Sequence, residues 1–240
     1  MKRHLMAPRS PHLSSVQRCG VCIMLLAAPL FLASSAYADM ISIGFQEANV
    51  NSGNITTVKT GSGNLTVSNV SYGTFTVNDA SVQDFTVLPT PGLLNSNVLD
   101  ISTNKAGVLT IWITAQGIPF TGVPQNFTSS FAVNTLSGGI VQVTENTYFS
   151  PTNVIYNNPG QILLHSVIFG AIGTSGPFSH VGAPTGIYSV THQYVIFDTS
   201  GIAGSDNLTI DLSGTPIPEP ASLALLGAGL LGIFALKFRR

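Results

Sequence analysis

The stretch from Gly107 to Gln116 reads GVLTIWITAQ. In an extended chain Leu109, Ile111 and Ile113 fall on one side, and Thr110, Trp112 and Thr114 on the other. Period-two alternation over this length marks a β-strand with its aliphatic side toward a core. The theme returns in NLTVSNV (64–70), YGTFTVNDA (72–80), QDFTVLP (83–89), IVQVTENTYF (140–149), ILLHSVIFGAI (162–172), GIYSVTHQYVIF (186–197) and NLTIDLS (207–213). Turn signals separate these runs: Asn51-Ser52-Gly53, Gly61-Ser62-Gly63, Asn158-Pro159-Gly160 and Ser200-Gly201. Such residues accept the tight or left-handed backbone that turns need. No stretch shows a capped helical period. About ten to twelve short strands at this spacing predict an all-β fold with a single β-sandwich or jelly roll. A solenoid is the alternative, but the loose rhythm of GNITTVKTGSGNLTVSNVSYGTFTV (53–77) has no fixed period along the chain.

Composition agrees. Of 240 residues only 8% are charged, against roughly 25% in an average soluble protein. The charge is unevenly placed. Lys2, Arg3, Arg9 and Arg18 lie at the start and Lys237, Arg239 and Arg240 at the end. Between Asp39 and Thr215 two lysines, Lys59 and Lys105, face nine acids, a net charge of -7. That region offers no basic face to hold phosphates, so no nucleic-acid partner is expected.

The start has the form of a signal peptide. Cationic residues precede the apolar run VCIMLLAAPLFLA (21–33), and Ala36 and Ala38 flank Tyr37 in an A-x-A site before Asp39. Cleavage is expected between Ala38 and Asp39. The run is too short to cross a ~30 Å hydrocarbon core comfortably. Cys19 and Cys22 fall in the removed part, so the mature chain should have no disulfide and no thiol nucleophile.

The end reads TPIPEP (215–220), then ASLALLGAGLLGIFALKFRR (221–240). From Ala221 to Leu236 there is no charge, which fits a short single transmembrane helix. Lys237, Arg239 and Arg240 form a basic stop that stays on the cytoplasmic side. Pro216, Pro218 and Pro220 cannot lie inside a helix and make a stiff, extended segment before it. The chain thus divides into a signal peptide (1–38), a β-sandwich ectodomain (39–214) and a C-terminal anchor or sorting signal (215–240).

At Pro218-Glu219-Pro220, with the apolar run and basic end behind it, the pattern resembles the PEP-CTERM sorting domain of exported proteins in Gram-negative bacteria. The resemblance implies an exosortase, a membrane transpeptidase, as processing partner near that tripeptide. It implies a host that makes exopolysaccharide. It also implies a route through an inner-membrane intermediate to the cell surface, outer membrane or extracellular matrix. The stretch ISIGFQEANVNSGNITTVKTGSGNLTV (41–67) resembles the beginning of other exported proteins of that kind.

The middle of the chain shows little chemistry. There is no G-x-S-x-G nucleophile turn. His165, His180 and His192 lack metal-ligand spacing, and His165 and His192 sit in strand-like runs. Asp79, Asp84 and Asp100 read as edge or turn residues. A glycosidase would need two acids facing each other across a cleft, which only the fold could arrange. Asp206, Asn207 and Asp211 are a weak calcium candidate, of the right oxygen chemistry but without an EF-hand spacing. The expectation is a surface or matrix protein with no enzymatic activity and no cofactor. Two alternatives are a carbohydrate-binding module for the exopolysaccharide and a secreted hydrolase. For the first, Trp112, Tyr72, Tyr148, Tyr156, Tyr188 and Tyr194 are the aromatics that could stack on sugar.

Overall fold

A computed structural model describes residues 40–83, 92–103, 105–120, 122–156, 160–217 and 226–229. Among the described residues twelve strands follow one another: β1 (Met40–Gln46), β2 (Thr56–Gly61), β3 (Leu65–Tyr72), β4 (Phe75–Gln83), β5 (Gly92–Thr103), β6 (Gly107–Ile118), β7 (Gln125–Ser137), β8 (Ile140–Ser150), β9 (Ile162–Phe169), β10 (Gly173–Gly182), β11 (Tyr188–Asp198) and β12 (Ser205–Pro216). They form two six-stranded sheets, in the orders β2-β1-β6-β11-β8-β9 and β10-β7-β12-β5-β4-β3. Every pairing is antiparallel. The two sheets pack as a sandwich.

The core lies between them. Leu109, Ile111 and Ile113 of β6, Ile41, Ile43 and Phe45 of β1 and Val190, Tyr194 and Ile196 of β11 meet Leu94, Val98 and Ile101 of β5 and Leu208, Ile210 and Leu212 of β12. Each such aliphatic side chain gains about 1.5–3 kcal/mol from leaving water. The expected inner face of β6 is therefore found. Its outer face differs from expectation, because Trp112 and Thr114 are also buried. Trp112 bonds Gln46 and lies beside Tyr148, and the connection from β8 to β9 covers Thr114. In it the Tyr156 N–H donates to Thr114 Oγ1 (3.1 Å) and the Tyr156 hydroxyl to Thr57 Oγ1 (3.1 Å). Gln116 Nε2 donates to the Asn153 carbonyl (2.8 Å), and Asn153 Oδ1 accepts the Gly117 N–H (2.8 Å). Any side chain at position 44 would overlap Tyr156 and Ile55, so Gly44 is what lets this cover lie flat.

The turn signals act as expected. Asn51, Ser52 and Gly53 carry positive φ in a single 3-10 turn, and Gly63, Gly160 and Gly201 do so between strands. Asp79 is a correction: it lies on β4, which is paired on both sides, by β3 and β5, and is not an edge. The strand read over 83–89 is described only at Gln83, where β4 ends. β10 contains Pro177 and three glycines and carries no strand signal in its sequence. It is an edge strand, where a missing N–H costs no ladder bond, and its register shifts between Ser175 and Phe178.

Both ends of the sandwich chain lie at one end of the sheets. Met40, the first residue of β1, pairs with Gln116 near the end of β6, and Tyr188 pairs with Ile118. Pro216, the last residue of β12, pairs with Gln125 at the start of β7. Phe127, Phe149 and Tyr188 stack across the layers there, with ring centroids 5.0–6.1 Å apart. The chain therefore enters and leaves the sandwich at the same end.

Candidate functional site

Three places could carry function: the exit at β12, the polar interior, and the outer face around Trp112.

β12 stays in its ladder to its last residue. Thr215 and Pro216 pair with Asn126 and Gln125, and the Ile217 N–H donates to the Pro124 carbonyl (2.8 Å). The strand ladder thus runs to Ile217, past Gly214, where the strand pattern is read to end and the sorting segment to begin. Pro216 is tolerated because it is the terminal residue of the strand. Pro218, Glu219 and Pro220 follow directly in the chain and lie outside the described residues, as do Ala36, Ala38, Asp39, Cys19, Cys22, Lys237, Arg239 and Arg240. Of the apolar tail, Leu226 to Gly229 are described and are α-helical.

The interior holds the densest polar chemistry. Ser96 points inward from β5, and His192 and Tyr194 point inward from β11. Ser96 Oγ lies 2.6 Å from His192 Nδ1 and 2.8 Å from the Tyr194 hydroxyl. Tyr194 in turn donates to the Ser96 carbonyl (2.9 Å) and accepts the Ile210 N–H (3.1 Å). One hydroxyl thereby ties β11 to β5 and β12. Ser129 Oγ of β7 and Thr147 Oγ1 of β8 make a second bond between the sheets (2.8 Å). Glu145 projects inward from β8, opposite Tyr194 in register, with no hydrogen-bond partner on either carboxylate oxygen. Burial, and then the Asp206 carboxylate, push its pKa up to about 9. Burial pushes His192 down to about 3. At neutral pH both side chains are therefore uncharged, as an apolar interior requires. With the Tyr194 proton on the Ser96 carbonyl, the Ser96 hydroxyl donates to Tyr194 and accepts from His192 Nδ1–H, and His192 Nε2 has no hydrogen-bond partner among the described residues.

A serine and a histidine in contact invite a nucleophile reading. Ser96 and His192 are fully buried, however, and a substrate cannot reach them in this fold. His165 stacks on Phe178 (centroids 3.6 Å), and His180 pairs in register with Phe127 at the entry end.

The calcium candidate is corrected. Asp206 points into the core, whereas Asn207 and Asp211 point outward on the other face of β12. Alternation along the strand separates them. Asn207 Oδ1 instead accepts from Asn134 Nδ2 (3.2 Å), and partial burial raises the pKa of Asp211. Among the described residues no group of three or more His, Cys, Asp or Glu side chains is placed to hold a metal ion.

On the outer face, Trp112 Nε1 donates to Gln46 Oε1 (3.1 Å), and Gln193 Oε1 accepts from Asn146 Nδ2 (2.7 Å) and the Tyr148 hydroxyl (2.9 Å). Trp112 and Tyr148 lie with centroids 6.2 Å apart and planes tilted by 35°. Beside them is an open, shallow groove of about 390 Å³ lined by Gln46, Glu47, Ala48, Gly53, Val108 and Thr110. Of the six aromatics expected as sugar platforms, Tyr72, Trp112, Tyr156, Tyr188 and Tyr194 are buried and only Tyr148 is partly exposed. They do not form a coplanar exposed platform.

Comparison with known proteins places a function at the exit. Residues 216–240 match the PEP-CTERM protein-sorting motif. The chain carries that motif, which implies an exported protein processed by an exosortase and sorted to the cell surface. The match begins at Pro216, the last residue of β12. No curated protein matches the chain. Among solved structures, TmCBM61 in complex with beta-1,4-galactotriose is 10% identical, with a TM-score of 0.26, over 57% of this chain and 82% of that one. A structure of infectious bursal disease virus, Gx strain, is 12% identical, with a TM-score of 0.25, over 76% of this chain and 57% of that one.

Proposed function

We propose that the β-sandwich is a non-enzymatic surface or matrix domain, delivered by its signal peptide and released or transferred by exosortase cleavage near Pro218-Glu219-Pro220. In this reading residues 1–38 are removed on export and Lys237, Arg239 and Arg240 hold the tail's orientation until the cut. The final destination is the cell surface or an exopolysaccharide matrix. The observation that supports it best is the abutment of fold and motif. β12 is hydrogen-bonded through Ile217, and the tripeptide starts at the next residue. Cleavage there would free a complete sandwich without cutting into its ladder. The low density of charge and the Asn, Ser and Thr content suit a protein that works among polysaccharide chains rather than one steered to charged partners.

The test is the intact mass of the protein from cells with and without their exosortase. A mass beginning at Asp39 and ending near Pro218-Glu219-Pro220, with the second cut lost in the enzyme-free strain, supports the reading. A mass running to Arg240 in both strains overturns it and makes the tail a permanent anchor.

A further inference from the structure

We infer that the end of the sandwich where the chain enters and leaves rests on the lipid surface while the tail is attached. The inference depends on the tail being a membrane segment, as proposed above. Three residues, Pro218 to Pro220, separate the last hydrogen bond of β12 from the apolar run that begins at Ala221. Fully extended they reach at most about 10 Å. The headgroup layer on one side of a bilayer is itself roughly 5–8 Å deep. With so short a tether, the end of the sheets that carries Pro216 cannot stand away from the membrane.

The chemistry of that end fits the position. The described residues of the connections that join strands there, 62–64, 119–120, 122–124, 151–156, 160–161 and 183–187, include no charged side chain. Met40, Ile162, Leu163, Val181 and Ile187 all lie at that end and expose 42–60% of their surface. Val181 pairs with Asn126 beside the exit of β12, and Ile187 precedes β11 at its pairing with Ile118. Apolar exposure alone would not choose this end, since Ile172 and Ile202 at the opposite end are 65% and 63% exposed. The tether chooses it, and the scarcity of charge lets these side chains enter the interface without carrying ions with them. The domain would then hold Pro218-Glu219-Pro220 at the membrane surface, where a membrane enzyme can reach it.

The test uses the chain from Asp39 to Arg240, which has no cysteine of its own. Val181→Cys and Ile187→Cys, with Ile172→Cys and Ile202→Cys as controls, each carry an environment-sensitive fluorophore. The protein is placed in phosphatidylethanolamine–phosphatidylglycerol vesicles. All four positions are exposed, so the core is untouched. Quenching by nitroxide-bearing lipid should be several-fold stronger at 181 and 187 than at 172 and 202, and quenching by aqueous iodide should show the reverse order. Equal iodide quenching at all four positions in vesicle-bound protein overturns the inference while leaving the tail a membrane segment. Shielding of 181 and 187 from both quenchers also overturns it, and assigns that end to a second copy of the chain. Protein that does not float with the vesicles removes the membrane tail itself, and the inference with it.

Discussion

Ser96 Oγ and His192 Nδ1 meet across the sandwich at 2.6 Å, although 96 positions separate them in sequence. The contact joins β5 of one sheet to β11 of the other. With Tyr194 and Glu145 beside it, it makes the interior of this protein sensitive to protons.

Stability should pass through a plateau in mildly acidic solution and fall on either side. Folded Glu145 titrates at about 9, against an ordinary 4.5. Between those values the folded chain keeps a proton that the unfolded chain has lost, so stability falls as pH rises. Folded His192 titrates at about 3, against 6.5. Between those values the unfolded chain takes up a proton that the folded chain refuses, so stability falls as pH drops. From 4.5 to 6.5 the two slopes oppose and cancel. Above 6.5 the loss follows Glu145 alone, approaching ~1.4 kcal/mol per pH unit. Asp206 and Tyr194 face the same carboxyl, and both raise its proton affinity or have theirs raised by it. Urea denaturation from about pH 4 to pH 9 should show this profile, and Glu145→Gln should flatten the alkaline side. An alkaline loss that persists in the variant would assign it to other groups.

Tyr194→Phe should destabilise the fold by about 1–3 kcal/mol, because the Ile210 N–H and the Ser96 hydroxyl lose a buried partner. Tyr148→Phe on the outer face, where the hydroxyl is partly exposed, should cost about 1 kcal/mol or less. Urea midpoints of the two variants, compared side by side, decide whether the hub lies inside the sandwich.

Gly73→Ala should cost about 2–4 kcal/mol. Gly73 has φ +62, and a Cβ there would collide with the Glu47 carboxylate. That carboxylate accepts the Thr74 N–H (3.0 Å) and the Thr74 hydroxyl (2.8 Å), bonds that the collision would break. Gly63→Ala is the control: its φ of +71 is similar, but nothing lies near the new Cβ, so only the backbone penalty of about 1 kcal/mol remains. Equal losses in the two variants would mean that the Glu47 contact contributes nothing.

Calcium and chelator should leave the thermal midpoint unchanged. Asp206 and Asp211 lie on opposite faces of β12, so no cation can draw ligands from both. A midpoint that rises with calcium concentration would require binding to the folded state that this arrangement of β12 does not supply.

Period-two alternation made much of the fold legible. The inner faces of β6, β11 and β12 follow directly from Leu109-Ile111-Ile113, Val190-Tyr194-Ile196 and Leu208-Ile210-Leu212. β7 was less visible because Ser129 interrupts its inward row, where it bonds Thr147. The burial of Thr114 was not legible, since it depends on a distant connection folding back over it. The interior cluster was hidden for the same reason. Glu145 looks like any solvated acid in a strand, and only pairing between distant strands encloses it. The exit site was the opposite case. Its motif is contiguous, so Pro218-Glu219-Pro220 and the basic end stand out in the sequence alone. What the sequence did not show is that β12 continues to Pro216 and leaves no linker.

The strand order sets a timetable for export. β11 lies between β6 and β8, and β12 between β7 and β5. The last two strands to emerge are thus internal to the two sheets. Until they arrive, one sheet is split between β6 and β8 and the other between β7 and β5. A chain crossing a membrane from its N-terminus can form hairpins early, such as β3 with β4, but neither sheet can close. Closure waits until Pro216, the end of β12, is outside, by which point, in the membrane-stop reading proposed above, the apolar tail that follows would sit in the membrane. In that reading, completion of folding and arrest at the membrane would fall together, and the processing enzyme would meet its motif only on a chain whose final strand is free to seat.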